Sequence, residues 1–172
     1  MSNAMHLSRR FFGSLKPGGP SDADRSWVET TLSEDEYGLW CRMSGPDRRH
    51  STQVARDVDR ILGNEASLPV LAAALLHDVG KIEAGLRTWG RVIATLSAKV
   101  AGRDAAKLWI KSSGFTRRVG LYLHHPEIGA DMLERAGSDP LTVRWTEEHH
   151  RPADQWTLST EITSALDAAD ND

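Results

Sequence analysis

In the stretch LLHDVGK, residues 75–81, an apolar run from Val70 to Leu76 ends abruptly in His77 and Asp78. Burying an ionised carboxylate without a partner is costly, so Asp78 calls for a cation, hydrogen-bond donors or a metal. The histidines supply a candidate. Besides His6 they fall at His50, His77, His124-His125 and His149-His150, and the carboxylates Asp167 and Asp170 lie in the closing segment ALDAADND. Each group sits on or at the end of a different predicted helix, and helices of a bundle can turn such side chains inward onto one metal. Singly, each has an ordinary explanation, either a satisfied or exposed imidazole or a histidine set against the C-terminal end of a helix dipole. Together they read as a metal site. Neighbours on a helix are rotated about 100° apart, so one ring of His149-His150 is expected as a ligand and the other beside it or at the substrate.

The elements that position these residues have helical period almost throughout. Ser33 opens SEDE, a capping-box pattern ahead of Tyr37, Leu39 and Trp40. A second helix is predicted from about Pro46 to Leu62, with Val54, Val58, Ile61 and Leu62 on one stripe and Gly63-Asn64 at its end. A third runs from Ser67 to Val79, with Pro69 near its start and Gly80 just past its end. Further helical patterns cover about 88–101, 104–111, 115–123, 126–136, 140–149 and 158–169, separated by Gly, Pro and Ser-rich breaks. With no alternating strand pattern and no repeat, the expected fold is an all-α bundle with the metal site in its core.

A chain of 172 residues suits one domain, expected over 21–172. Residues 1–20 read as an expression scar, Met1 to Ala4, followed by a flexible arm that ends in a Pro/Gly cluster. The net charge of −3, with basic and acidic residues interspersed, gives no basic stripe and argues against nucleic acid as a partner. The single cysteine, Cys41, excludes an internal disulfide framework, fits a reducing cytoplasmic compartment and is expected as a small buried hydrophobe. No apolar run approaches the roughly 20 residues of a membrane span, and the N-terminus lacks the core of a secretion signal.

The ordered set His50, His77-Asp78 and a late Asp resembles the HD superfamily of metal-dependent phosphohydrolases over about residues 46–172. HDVGK, residues 77–81, is similar to the family's HDxGK motif. HPEIG, residues 125–129, resembles the HPxxG element of the HD-GYP branch, and His149-His150 resembles that branch's doublet. The resemblance implies that His50, His77, Asp78 and Asp170 hold one ion, and that His125, His149 and His150, with Asp78 bridging, hold a second. Asp170 is preferred to Asp167 because Ala169-Asp170 resembles the family's terminal Ala-Asp; Asp167, one turn earlier, is the alternative. His124 has no counterpart. After the doublet the chain reads RPADQW, with no GYP segment, so cyclic di-GMP hydrolysis does not carry over.

All these ligands offer nitrogen or oxygen and none a thiolate, which suits one or two ions of Mn, Fe, Co, Ni or Zn. Such an ion lowers the pKa of bound water to roughly 7 and polarises a phosphoryl oxygen, and a pair clamps attacking and leaving oxygens. The expected activity is hydrolysis of a phosphoester, with Asp78 and Lys81 as catalytic candidates and a nucleotide or similar small phosphate compound as substrate. Lys81 reaches the same pocket if the last turn continues through Gly80, and the resemblance gives it a phosphate contact. Arg117 and Arg118 could bind further phosphates or lie exposed, and Trp156 could line a nucleotide pocket. The alternatives are a non-catalytic metal-binding HD module that serves signalling or interaction, and a di-iron HD-type oxygenase.

Overall fold

The most apolar segment of the chain, Leu68–Leu76, is a helix buried from Val70 to Leu76 on every face, and four other helices pack against it. The computed structural model describes residues 18–86, 90 and 108–171. Among these the regular structure is helical, with no strand. The helices are α1 (Asp22–Thr31), α2 (Glu34–Arg42), α3 (Gly45–Leu62), α4 (Leu68–Leu76), α5 (Lys81–Ala84), α6 (Gly114–Leu123), α7 (His125–Arg135), α8 (Pro140–Glu148) and α9 (Thr160–Asn171). Both α3 and α8 pack on α4, α7 packs on α8, α9 on α3, and α5 on α6.

Local chemistry sets the helix ends. Before α2, Ser33 Oγ accepts from the Glu36 N–H at 3.3 Å while the Glu36 carboxylate accepts from the Ser33 N–H at 3.0 Å, which closes the expected capping box. Helix α3 starts behind Ser44 and stops at Gly63, whose φ of +53° suits glycine. Helix α4 stops at Leu76 rather than at the expected Val79. There the bonds shorten to i→i+3, from Val79 N–H to Leu76 O at 2.9 Å and from Lys81 N–H to Asp78 O at 3.0 Å, and HDVG becomes a tight turn. Helices α3, α6, α7, α8 and α9 fall within about two residues of their predicted spans, while α1 and α5 had no predicted span. The patterns at 88–101 and 104–111 lie largely outside the described residues, as does most of the N-terminal arm.

One cluster joins Val28, Trp40, Val54, Val58, Leu75, Leu76, Val79, Leu133, Trp145 and Leu166. A smaller one, under α5 and α6, joins Ala84, Leu86, Val119 and Leu121. Trp40 is fully buried and its indole N–H donates to Ser51 Oγ at 3.2 Å, so its one polar atom is satisfied. Cys41, in contrast, is exposed. Short α2 turns Trp40 and the following Met43 inward, and a rotation of about 100° then carries Cys41 out to solvent. None of the described helices is long and apolar enough to cross a membrane.

Candidate metal centre

Because α4 runs through the middle of the bundle, its C-terminal turn delivers His77 and Asp78 to the interior, where they are 2% and 3% exposed. Four other elements converge on that point. Helix α3 supplies His50, α9 supplies Asp170, the first turn of α7 supplies His125, and the end of α8 supplies His149 and His150. Asp78 stands between two sets. Its Oδ1 is 3.2 Å from His125 Nε2 and 3.8 Å from His149 Nε2, while its Oδ2 is 3.5 Å from His77 Nε2 and contacts Lys81 Nζ. Asp170 Oδ1 lies 2.9 Å from His50 Nε2 and 3.6 Å from His77 Nε2. The His150 ring packs against His149 and His125, with centroids 4.0 and 5.1 Å away, and remains open to solvent.

Ring orientation follows from backbone carbonyls. His77 Nδ1 meets Ala74 O at 2.9 Å, His125 Nδ1 meets Tyr122 O at 2.7 Å, and His149 Nδ1 meets Thr146 O at 2.9 Å. A carbonyl can only accept, so each Nδ1 carries the proton and donates it. Each Nε2 is thereby aimed at Asp78, the arrangement by which an outer hydrogen bond fixes a ligating imidazole. Burial pushes His125 down to about 4 despite the neighbouring Asp78, so near neutral pH its Nε2 presents a bare lone pair to a carboxylate oxygen. Two acceptors facing each other at this distance require a cation between or beside them. Accordingly Asp78 Oδ1 and the Nε2 atoms of His77, His125 and His149 are buried without a hydrogen-bond partner.

Asp78, His125, His149 and His150 form one group, and His50, His77 and Asp78 another, each with ligand atoms within 4.8 Å of one another. This all-nitrogen-and-oxygen donor set fits divalent transition ions. Burial alone would raise the Asp78 pKa, but the charges of Lys81 and His77 outweigh it and hold the carboxyl well below the usual range. Burial would likewise depress His77, yet Asp78 and Asp170 raise it to about 9.

The family model of the HD domain matches residues 48–172, which hold every one of these side chains. The chain belongs to the HD-domain family. No curated protein and no solved structure matches it. Helices α1 and α2 precede the matched HD segment and pack Val28 and Trp40 against its central helix.

Other predicted site residues of this HD domain have different settings. Asp167 accepts from the Asn171 amide at 2.9 Å within α9. His124 caps α6, its Nδ1 meeting Gly120 O at 2.9 Å. Arg117 is exposed. The guanidinium of Arg118 donates to Ala84 O at 3.0 Å and to Gly85 O, at the end of α5. The Trp156 indole N–H donates to Glu148 O at 3.1 Å, and its half-buried ring meets Trp145 edge-on at 5.4 Å against the main cluster.

Three contributors were missed from the sequence. Gly80 and Gly129 bring the HDVGK turn and α7 into backbone contact, since a Cβ at Gly80 would lie 2.0 Å from His125 O and 2.7 Å from Gly129 N. Fully buried Glu148 accepts from the Thr157 N–H at 2.8 Å and the Thr157 hydroxyl at 3.0 Å, tying the segment after His149-His150 to α8. Its spacing of three from Trp145 was the available signal.

The raised His77 gives a pH prediction. Near pH 7 the metal-free protein keeps His77 protonated, so an ion that takes its Nε2 must displace a proton, and affinity rises with pH up to about 9. His125, already neutral above about 4, adds no such dependence. Titration calorimetry in buffers of different ionisation enthalpy is expected to show about one proton released from this group near pH 7. No release would contradict the assignment of His77 as a ligand.

Proposed function

We propose that this HD domain is a metal-dependent phosphohydrolase or phosphodiesterase acting on a nucleotide or related small phosphate compound. The observation that carries the reading is the convergence of buried, unpartnered imidazole nitrogens on Asp78 Oδ1. In this reading His50, His77, Asp78 and Asp170 hold one ion, and His125, His149 and His150 hold a second that shares Asp78. Bound ions supply Lewis-acid polarisation of a phosphoryl oxygen and lower the pKa of water.

The chain's own residues do the rest. Backbone carbonyls fix the three buried rings so that no reorientation is needed on binding. His150, on the solvent side of His149, stands where a substrate approaches. Lys81, half-buried beside Asp78, supplies an ammonium within reach of a substrate phosphate.

The test is metal analysis of the purified chain together with hydrolysis of bis-p-nitrophenyl phosphate before and after chelation. Near two equivalents with chelator-sensitive hydrolysis supports the reading. No metal and no activity after reloading with Mn²⁺, Fe²⁺ or Ni²⁺ moves it to a binding module, and oxygen uptake by an iron-loaded form without phosphate release moves it to an oxidative enzyme. Within the same assay Asp170→Asn is expected to weaken ion retention at least about tenfold, whereas Asp167→Asn stays close to the parent. The reverse order would transfer the ligand to Asp167.

A further inference from the structure

The two halves of the centre are unequal, and Asp78 divides them by oxygen. On the Oδ1 side, the carboxylate oxygen and the Nε2 atoms of His125 and His149 have no hydrogen-bond partner. On the Oδ2 side His77 Nε2 also lacks a hydrogen-bond partner, but the carboxylate oxygen itself and His50 are already engaged. His50 Nε2 meets Asp170 Oδ1 at 2.9 Å, and Lys81 Nζ sits directly against Asp78 Oδ2. An ion bound to Oδ2 would therefore meet an ammonium in contact with the same atom, and the two like charges exclude each other.

We propose that Lys81 is a built-in counter-ion that holds the second ion's place on Asp78 Oδ2, so that the centre fills in order. The His125, His149 and His150 half loads first, with no protein cation to displace. The His50, His77 and Asp170 half loads second, only as Lys81 leaves Oδ2, and that departure is what frees its ammonium for a phosphate. This rests on the two-ion reading given above.

The surroundings allow such a movement. The Lys81 backbone is pinned, its N–H donating to Asp78 O at 3.0 Å, so displacement is confined to the side chain. That side chain retains 15% exposure, which leaves a route toward solvent. The Tyr122 ring, with its centroid 5.8 Å from Nζ, offers the ammonium a second resting surface beside His125.

The test is calorimetric titration of the chelated full chain with Mn²⁺, which reads affinities without reference to turnover. Wild type is expected to show a tight and a weak event, the tight one lost in His149→Ala and the weak one lost in His77→Ala. In Lys81→Met the weak event should strengthen about tenfold or more while the tight one moves less, and Lys81→Arg, which keeps the charge, should resemble wild type. Should Lys81→Met fold poorly with Asp78 uncompensated, Lys81→Gln removes the charge, retains a hydrogen-bond donor and gives the same readout. A weak event unchanged or weakened in the neutral variant overturns the proposal and leaves the two-ion reading standing. Wild-type chain that binds no ion, or only one, overturns both.

Discussion

Asp78→Asn is expected to empty both halves of the centre at once, reducing bound ion from near two per chain to well below one and lowering phosphodiester hydrolysis by at least about 10²-fold. The two oxygens of this carboxylate face different imidazole sets, Oδ1 toward His125 and His149 and Oδ2 toward His77, and among the described residues Asp78 belongs to both groups of ligand atoms. Asparagine keeps the shape but loses the negative charge that offsets the neighbouring cations, and its amide would place donors where a ligand oxygen is needed. Elemental analysis and hydrolysis on the same preparation check this, with far-ultraviolet circular dichroism to establish that the helices persist. Full metal content in a folded Asp78→Asn chain would remove Asp78 from the centre.

Gly80→Ala is expected to have the largest effect on stability, about 3 kcal/mol, and to degrade the His125 half of the centre with it. Gly80 has φ of −62°, which any residue adopts, so the cost is one of space rather than of backbone freedom. The added methyl would collide with the carbonyl of His125 at 2.0 Å and with the Gly129 nitrogen at 2.7 Å, and both are main-chain atoms that cannot swing aside. Relief requires α7 to back away from the HDVG turn, carrying His125 Nε2 off Asp78. Gly129→Ala, whose nearest obstacle is the Thr146 methyl at 2.9 Å, should cost less, about 1–2 kcal/mol. Urea unfolding of the two variants gives the order, and equal stabilities for Gly80→Ala and the parent would refute the packing argument.

Much of the centre was legible because its chemistry is carried by rare residue types. A histidine and an aspartate at the end of an apolar run have few stable settings, and the same holds for six histidines in four groups on different predicted helices. The choice of Asp170 over Asp167 rested on resemblance, and only the bundle brings one oxygen of Asp170 to 2.9 Å from His50. Residues whose roles depend on which face a short helix turns inward were harder. Cys41 lies next to a fully buried tryptophan, and one step of helix rotation decides its exposure. Arg118 and Trp156 were read for what their ends can bind, and nothing in the sequence signalled that the carbonyls of Ala84, Gly85 and Glu148 accept from them. The early end of α4 had no propensity signal, because the tight turn there is set by the approach of α7, a contact more than forty residues away in sequence.

The contact between His50 and Asp170 spans a sequence separation of 120 residues. A chain made from its N-terminus folds its early segments while the later ones are still being synthesised. His50 and His77 thus emerge, and α3 and α4 can pair, well before Asp170 exists. Closing so long a loop is also slow relative to the local steps that build each helix. The half of the centre that uses Asp170 is therefore a late event in the life of each new chain. Asp78, His125, His149 and His150 need no part of α9, whereas the His50 and His77 half gains Asp170 only when α9 docks, so a half-made chain can assemble one half of the centre but not the other.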